Sequence, residues 1–340
     1  MKITKYSPSF IKGTLLALAM TMTVALAATV TRAADDNYAE GSFDRTLKVS
    51  GAVDLTISTG SGSINVRTGD ASSVQVSARI RVNEGWHISD SEAKDKVSKL
   101  EANPPIEQEG NTIRIGEIRD EELRRNVSIS YEVVTPAESR LHSTTGSGSQ
   151  TVEGVRGPVE ATTGSGSLHI THIGAELRAS TGSGTISMDD IKGSVRATTG
   201  SGGIRAMGIA GGLSAVTGSG TIELEQTAAG DVDVQTGSGG IELRGVHGRI
   251  SARAGSGHIS ADGVPTGDWR LHSGSGGVTI HLPADAGFEL EASTGSGTIS
   301  STHELTVSGI IGNRHELRGK SHGGGPLISA STSSGSIRVE

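Results

Sequence analysis

The chain has 340 residues with 50 glycines, no cysteine, 2% aromatic residues and a formal net charge of −7. Without cysteine there is no disulfide framework and no lipid attachment through a cysteine. The acidic balance argues against nucleic acid as a partner, because affinity there comes largely from Lys and Arg on phosphates. The scarcity of aromatic side chains leaves few stacking platforms for sugars or single strands.

Residues 1–33 read as a signal peptide. Lys2, Lys5 and Lys12 supply a basic start, Leu15 to Val30 an apolar run, and Thr31-Arg32-Ala33 a small-residue cleavage site. Left uncleaved, the segment would be a membrane anchor; no later stretch has the length and apolarity to span a bilayer. Cleavage removes four of the 30 basic residues and none of the 37 acidic ones, leaving 26 against 37 and a formal charge of −11. Such a surface keeps an exported protein soluble.

Residues 34–140 read as the opening of the fold with a capping insertion. Phe43, Leu47 and Val49 lead into Val53-Asp54-Leu55-Thr56-Ile57 and a Gly-Ser-Gly triplet at Gly60. Ile64, Val66, Val74, Val76, Ala78, Ile80 and Val82 then keep the period of two that marks a strand. The next triplet comes 86 residues after the first, too far for one repeat. The spacing of Ala93, Val97 and Leu100 predicts a short helix over Ser89 to Leu100, capped by Ser89 with Glu92 three residues on. Pro104-Pro105 ends it. A hairpin is expected over Ile106 to Ile115, turning at Glu109-Gly110-Asn111, and Val127, Ile129, Tyr131 and Val133 alternate into Pro136.

Residues 141–340 carry a repeat. Triplets start at Gly146, Gly164, Gly182, Gly200, Gly218, Gly237, Gly255 and Gly274, 18 or 19 residues apart, and again at Gly295. Five residues before each triplet stand Val159, Leu177, Val195, Leu213, Val232, Ile250, Trp269 and Leu290; four after its first Gly stand Leu168, Ile186, Ile204, Ile222, Ile241, Ile259, Val278 and Ile299. Another apolar residue marks a second corner: Val155, Ile173, Ile191, Ile209, Val246 or Val264. A fixed short period of this kind predicts a solenoid. The fold class is all-β: a parallel β-solenoid of about 18-residue coils, with two short strands per coil meeting at the Gly-Ser-Gly corner. Threonines just before most triplets, from Thr163 to Thr294, share the inward phase, so no outward Thr array for ice is expected. After Ser301 the pattern degenerates through Gly323-Gly324-Gly325-Pro326 into an irregular last coil, Ile328 to Val339, read as the second cap.

These residues resemble the bacterial "putative adhesin" family of exported Gly-Ser-Gly repeat proteins, a domain of unknown function. The matching features are Phe43-Asp44-Arg45-Thr46-Leu47, the strand Val127 to Pro136, the run of Thr-Gly-Ser-Gly-x-Ile coils and Gly323-Gly324-Gly325-Pro326-Leu327. The resemblance implies a β-solenoid sent to the periplasm, cell surface or medium, and it brings no catalytic residues.

Chemistry on the outward positions is sparse. Glu223 and Glu242 should stack one strand spacing apart, about the separation a retaining glycosidase needs. Arg205 beside Glu223, and Arg244 beside Glu225, make a charge ladder the simpler reading, so no catalytic residue is assigned. His169 and His172 lie around a corner from each other, and His303, His315 and His322 meet only if the last segment folds back; no metal site is assigned. Strand follows strand at every Gly-x-Gly, so no phosphate loop and no cofactor site is expected. Trp269 is in core register, and Trp86 is the better placed for an exposed contact. The expectation is a non-enzymatic interaction protein whose partner is a cell-surface or envelope polymer or protein. The alternatives are a polysaccharide-active solenoid enzyme and a periplasmic scaffold.

Overall fold

The computed structural model describes residues 38–83, 88–307 and 315–340; the segment 1–33 read as a signal peptide and Trp86 lie outside them. Residues 37–340 form one compact unit, and its strands belong to a single 27-stranded sheet that winds back on itself in the manner of a solenoid. Each repeat gives one strand to a front ladder and one to a back ladder. On the front, Val159–Ser165 pairs in parallel with Leu177–Ser183, which pairs with Val195–Ser201. On the back, Leu168–Ile173 pairs with Ile186–Ile191 in the same way.

The register is set by the apolar columns. Leu177 sits against Val195 and Ile186 against Ile204, all nearly inaccessible to solvent, so like stacks on like across the dry interior. The corner between the ladders is a stack of glycine on glycine. A Cβ at Gly164 would stand 2.6 Å from the Gly146 oxygen; one at Gly166 would stand 2.1 Å from the Gly148 oxygen, at a φ of +152°. Beside this corner the buried threonines form a hydrogen-bond ladder. Thr163 Oγ1 donates to Gly148 O at 3.0 Å, Thr181 to Gly166 at 2.9 Å and Thr199 to Gly184 at 3.0 Å. Those hydroxyls are therefore compatible with burial.

Two core positions depart from the sequence reading. After Ala261 the corner is one residue shorter than in the coil before, which shifts the register, so Val264 pairs with outward His247 and is 39% exposed while Pro265 is buried; the longer stretch before Trp269 restores the register. In the first regular coil the inward positions are Ser143 and Gln150, both fully buried. Ser143 Oγ donates to Gln150 Oε1 at 2.5 Å, and Gln150 Nε2 donates to Thr162 O at 2.5 Å.

The inserted helix runs Asp90–Ala102, with Ser89 Oγ accepting from the Glu92 amide at 3.3 Å, and the hairpin pairs Ile106–Glu109 with Thr112–Ile115. The insertion also builds a coil. Thr112–Ile115 and Val127–Thr135 pair in parallel with Asp54–Ser61 and Ile64–Thr68, on the side away from the regular repeats. Ser73–Asn83 and then Tyr38–Lys48 continue that edge antiparallel. The helix closes it: Gly41 lies against Val97, and the Ser42 amide donates to Glu101 Oε1 at 2.8 Å. A strand edge that would otherwise offer itself to another chain is thereby covered.

The other end repeats the device. Leu327–Ser334 lies between the front strand reaching Ser275 and Phe288–Ser296, pairing in parallel with both. Ile337–Val339 lies likewise between Val278–His281 and Ile299–Ser301. The irregular last coil is therefore inside the stack, and the end is formed by the coil before it in sequence. Glu316–Ser321 closes that end antiparallel to Phe288–Ser296.

Candidate interaction faces

Outward side chains of the front face stand in columns one strand spacing apart, because the register there carries each position straight from coil to coil. On the back face Glu223 and Glu242 are direct neighbours, as their positions require. Each is held by an arginine. Arg205 Nη1 reaches Glu223 at 2.6 Å, and Arg244 pairs with Glu242 on its own strand rather than with Glu225 across it. This is a charge ladder on a solvated face, and exposed pairs of this kind add little to stability.

The histidines divide. His169 is exposed on the back face beside Ser187, whereas His172 occupies the corner with φ +56°, directly before Ile173. Asp190 takes the equivalent corner place, and the Lys192 ammonium 2.5 Å away holds its carboxyl below the usual range. At the far end His303 and His322 share a depression with Glu340, which His315 does not line. The His303 ring meets Phe288 edge-on, centroids 5.4 Å apart, and its Nε2 is buried without a partner. Among the described residues no three His, Cys, Asp or Glu side chains converge as a metal ion would require. Trp269 is fully buried, its Nε1 donating to Gly248 O at 3.0 Å. The Tyr131 hydroxyl, also buried and unpartnered, has its ionisation pushed far up by desolvation.

A depression of about 480 Å³ lies on the front face. Its floor is one repeat in which the outward positions shrink to Gly212 and Ser214. In the column through Ser214, the neighbour on one side is Arg196 and on the other Asp233. Neither Arg196 nor Asp233 has a hydrogen-bond or ion-pair partner among the described residues. Asp231 is taken up by Arg249, through its amide at 3.1 Å and its guanidinium at 3.2 Å, and Arg253 Nη1 is tethered to Ser251 Oγ at 3.1 Å. No signal in the repeat consensus marks this place. It is visible only where one coil's small residues are compared with the next coil's long ones.

A second depression of about 330 Å³ lies on the back face near the first end, lined by Ser77, Arg79, Ser128 and Glu132 among others. Its hydroxyls are largely engaged: Ser77 Oγ donates to Asp44 Oδ1 at 2.6 Å and Ser128 Oγ to Ser61 O at 2.9 Å. No helix among the described residues is long and apolar enough to cross a membrane.

Several solved structures are similar to this chain at low identity. One described as a "putative adhesin" from Bacteroides fragilis NCTC 9343 is 11% identical, covering 88% of this chain and 97% of that one, with a TM-score of 0.33. A "putative lipid binding protein" from Parabacteroides distasonis ATCC 8503 is 13% identical over 88% and 96%, with a TM-score of 0.35. A "putative cell adhesion protein" from Clostridium sporogenes ATCC 15579 is 12% identical over 88% and 99%, with a TM-score of 0.20. Likeness at this level says nothing about what this chain binds. A comparison with curated proteins finds no match. The profile of one family matches residues 48–340, from the first strands of the winding sheet through its inserted last coil, and the chain belongs to that family, Toastrack DUF4097.

Proposed function

We propose that the chain is exported through residues 1–33 and works without catalysis, as an adhesin-like interaction protein at the cell surface or in the envelope. Its binding surface is the outer side of a parallel β-solenoid, and its partner is a surface or envelope polymer or protein. The observation that carries this reading is the unbroken register of the front face, which runs in parallel pairs from Asp54–Ser61 through each repeat to Leu327–Ser334 and Phe288–Ser296. Contacts repeated along such columns are individually weak and add by avidity, which suits a polymeric partner. Both sheet ends are closed by antiparallel strands, so the side faces rather than the ends are what the protein offers.

Protease accessibility on intact cells tests the reading, with a tag after Glu340 and the medium assayed alongside. A tag that is cut or shed supports it. A tag protected until the outer membrane is opened overturns surface adhesion and leaves a periplasmic scaffold. For the enzymatic alternative, glycan cleavage is assayed with Glu223→Gln and Glu242→Gln combined; no cleavage by either protein is expected. Activity present in the wild type and lost in the double variant would overturn the non-catalytic reading.

A further inference from the structure

We propose that the front-face depression over Gly212 and Ser214 is a binding site for a carboxylate-bearing polysaccharide, a polymer of uronic acid units. The inference deepens the interaction reading above and rests on it.

The argument starts from a missing pair. Arg196 and Asp233 stand in one column on either side of Ser214, two strand spacings apart, roughly 9–10 Å between their backbones. An arginine and an aspartate one spacing apart would neutralise each other, as Arg249 and Asp231 do here. With Ser214 between them they keep their charge for something that lies across the gap. The space is open because Gly212 and Ser214 carry almost no side chain. A Cβ at Gly212 would meet only the Asp231 backbone, at 3.1 Å, so glycine here is not imposed by a positive φ.

The charge of the lining fixes the class of ligand. Arg249 is paired with Asp231, Arg270 with Asp268 and Glu176 with Arg178, which leaves Arg196 and Arg253 against Asp233 as the lining charges without an ion-pair partner among the described residues. Guanidinium forks match planar carboxylates through two parallel hydrogen bonds. Asp233 supplies the opposite function, an acceptor-only group for a neighbouring hydroxyl. The hydroxyls of Ser194, Ser214 and Ser251 add further polar groups to the lining. An acid and several hydroxyls on one ligand are what a uronate presents. A polyphosphate has no hydroxyl to donate to Asp233, so nothing in it offsets repulsion from that carboxylate, whereas a uronate places hydroxyls beside its acid. The lining runs along the column, across the strands, so the polymer lies parallel to the stacking direction and meets successive coils.

The test uses the purified mature protein in affinity electrophoresis through gels containing polygalacturonate, dextran or polyphosphate. Wild type is expected to be retarded by polygalacturonate and not by dextran or polyphosphate. Arg196→Gln should weaken retardation by about tenfold, the loss of one charge-assisted contact. Ser214→Trp should abolish it by filling the gap, with circular dichroism and melting confirming the fold. Glu223→Gln, on the back face, should leave it unchanged. Absence of polygalacturonate retardation, equal retardation by polyphosphate, or equal loss in Glu223→Gln would each overturn the site. Failure of the site and failure of the adhesive role are separable. Cells displaying Ser214→Trp that adhere as wild type refute the site and keep adhesion. A protein confined to the periplasm that still shows the expected retardation pattern refutes adhesion and keeps the site.

Discussion

Ser143 and Gln150 form a buried polar pair, linked by a 2.5 Å hydrogen bond, at positions where the later coils carry apolar residues, mostly alanine and isoleucine. Removing one partner of a buried pair strands the other, whereas removing both restores the apolar column. Gln150→Ile alone is expected to cost about 1–3 kcal/mol, chiefly by orphaning Ser143 Oγ. The double variant with Ser143→Ala should recover most of that loss. Urea denaturation of the two singles and the double measures the coupling directly.

The threonine ladder has one gap. Thr236 and Ser273 flank Ala254, which is buried and has no hydroxyl to offer the glycine carbonyl of the coil before it. Ala254→Thr should stabilise the protein by about 1 kcal/mol, and Thr199→Val should destabilise it by a similar amount. Opposite shifts of the melting temperature in the two variants are the expected outcome. A loss in Ala254→Thr would mean that the corner has no room for the methyl group.

Glycine and non-glycine corners respond in opposite senses. Gly166→Ala places Cβ against the Gly148 oxygen and should cost upwards of about 2 kcal/mol, since backbone rather than a side chain must move. His172 holds a left-handed conformation, which costs a non-glycine residue roughly 1–2 kcal/mol. Its replacement by glycine relieves that strain but adds roughly 0.4–1 kcal/mol of unfolded-state entropy. A net gain of about 0.5 kcal/mol for His172→Gly in chemical denaturation is the prediction.

Lys96 joins the inserted helix to the short turn at Glu121–Arg124. Its buried Nζ donates to Glu122 O and, at 3.1 Å, to Arg125 O, satisfying carbonyls at the end of that turn. Lys96→Met keeps the alkyl packing and removes the donor. It should cost about 1–3 kcal/mol, felt first as faster proteolysis within residues 90–125 rather than as loss of the regular coils.

The repeats were legible in the sequence because every coil repeats the same physical problem: two inward apolar residues per strand, a corner without Cβ and a hydroxyl to satisfy its carbonyl. The helix and hairpin were legible for local reasons, a cap at Ser89 and a tight turn at Gly110. Pairing order at the ends was not, since a parallel strand carries no mark of which neighbour it will join. Leu327–Ser334 has the same inward pattern as every other front strand, and only the assembled sheet shows it between two earlier ones. The exchange of Val264 for Pro265 turned on one residue of loop length, which shifts the inward phase. The depression at Ser214 escaped notice because a serine in a serine-rich repeat looks ordinary until Arg196 and Asp233 are seen on either side of it.

The placement of the final coil has a consequence for how the chain can be assembled as it emerges. Coils from Arg140 onward can be added one upon the last in the order of synthesis, each edge covered by the next arrival. At Phe288–Ser296 that order stops. This strand can pair with Glu316–Ser321, but it has no native link to the finished stack until Leu327–Ser334 exists to stand between them, so it must wait while some thirty further residues are delivered. During that interval the growing edge at Val278–His281 and the waiting coil are both open, and direct docking of one on the other would leave the last coil without a place. The closing step is a wedge rather than a layer: Leu327–Ser334 and Ile337–Val339 enter between coils made before them.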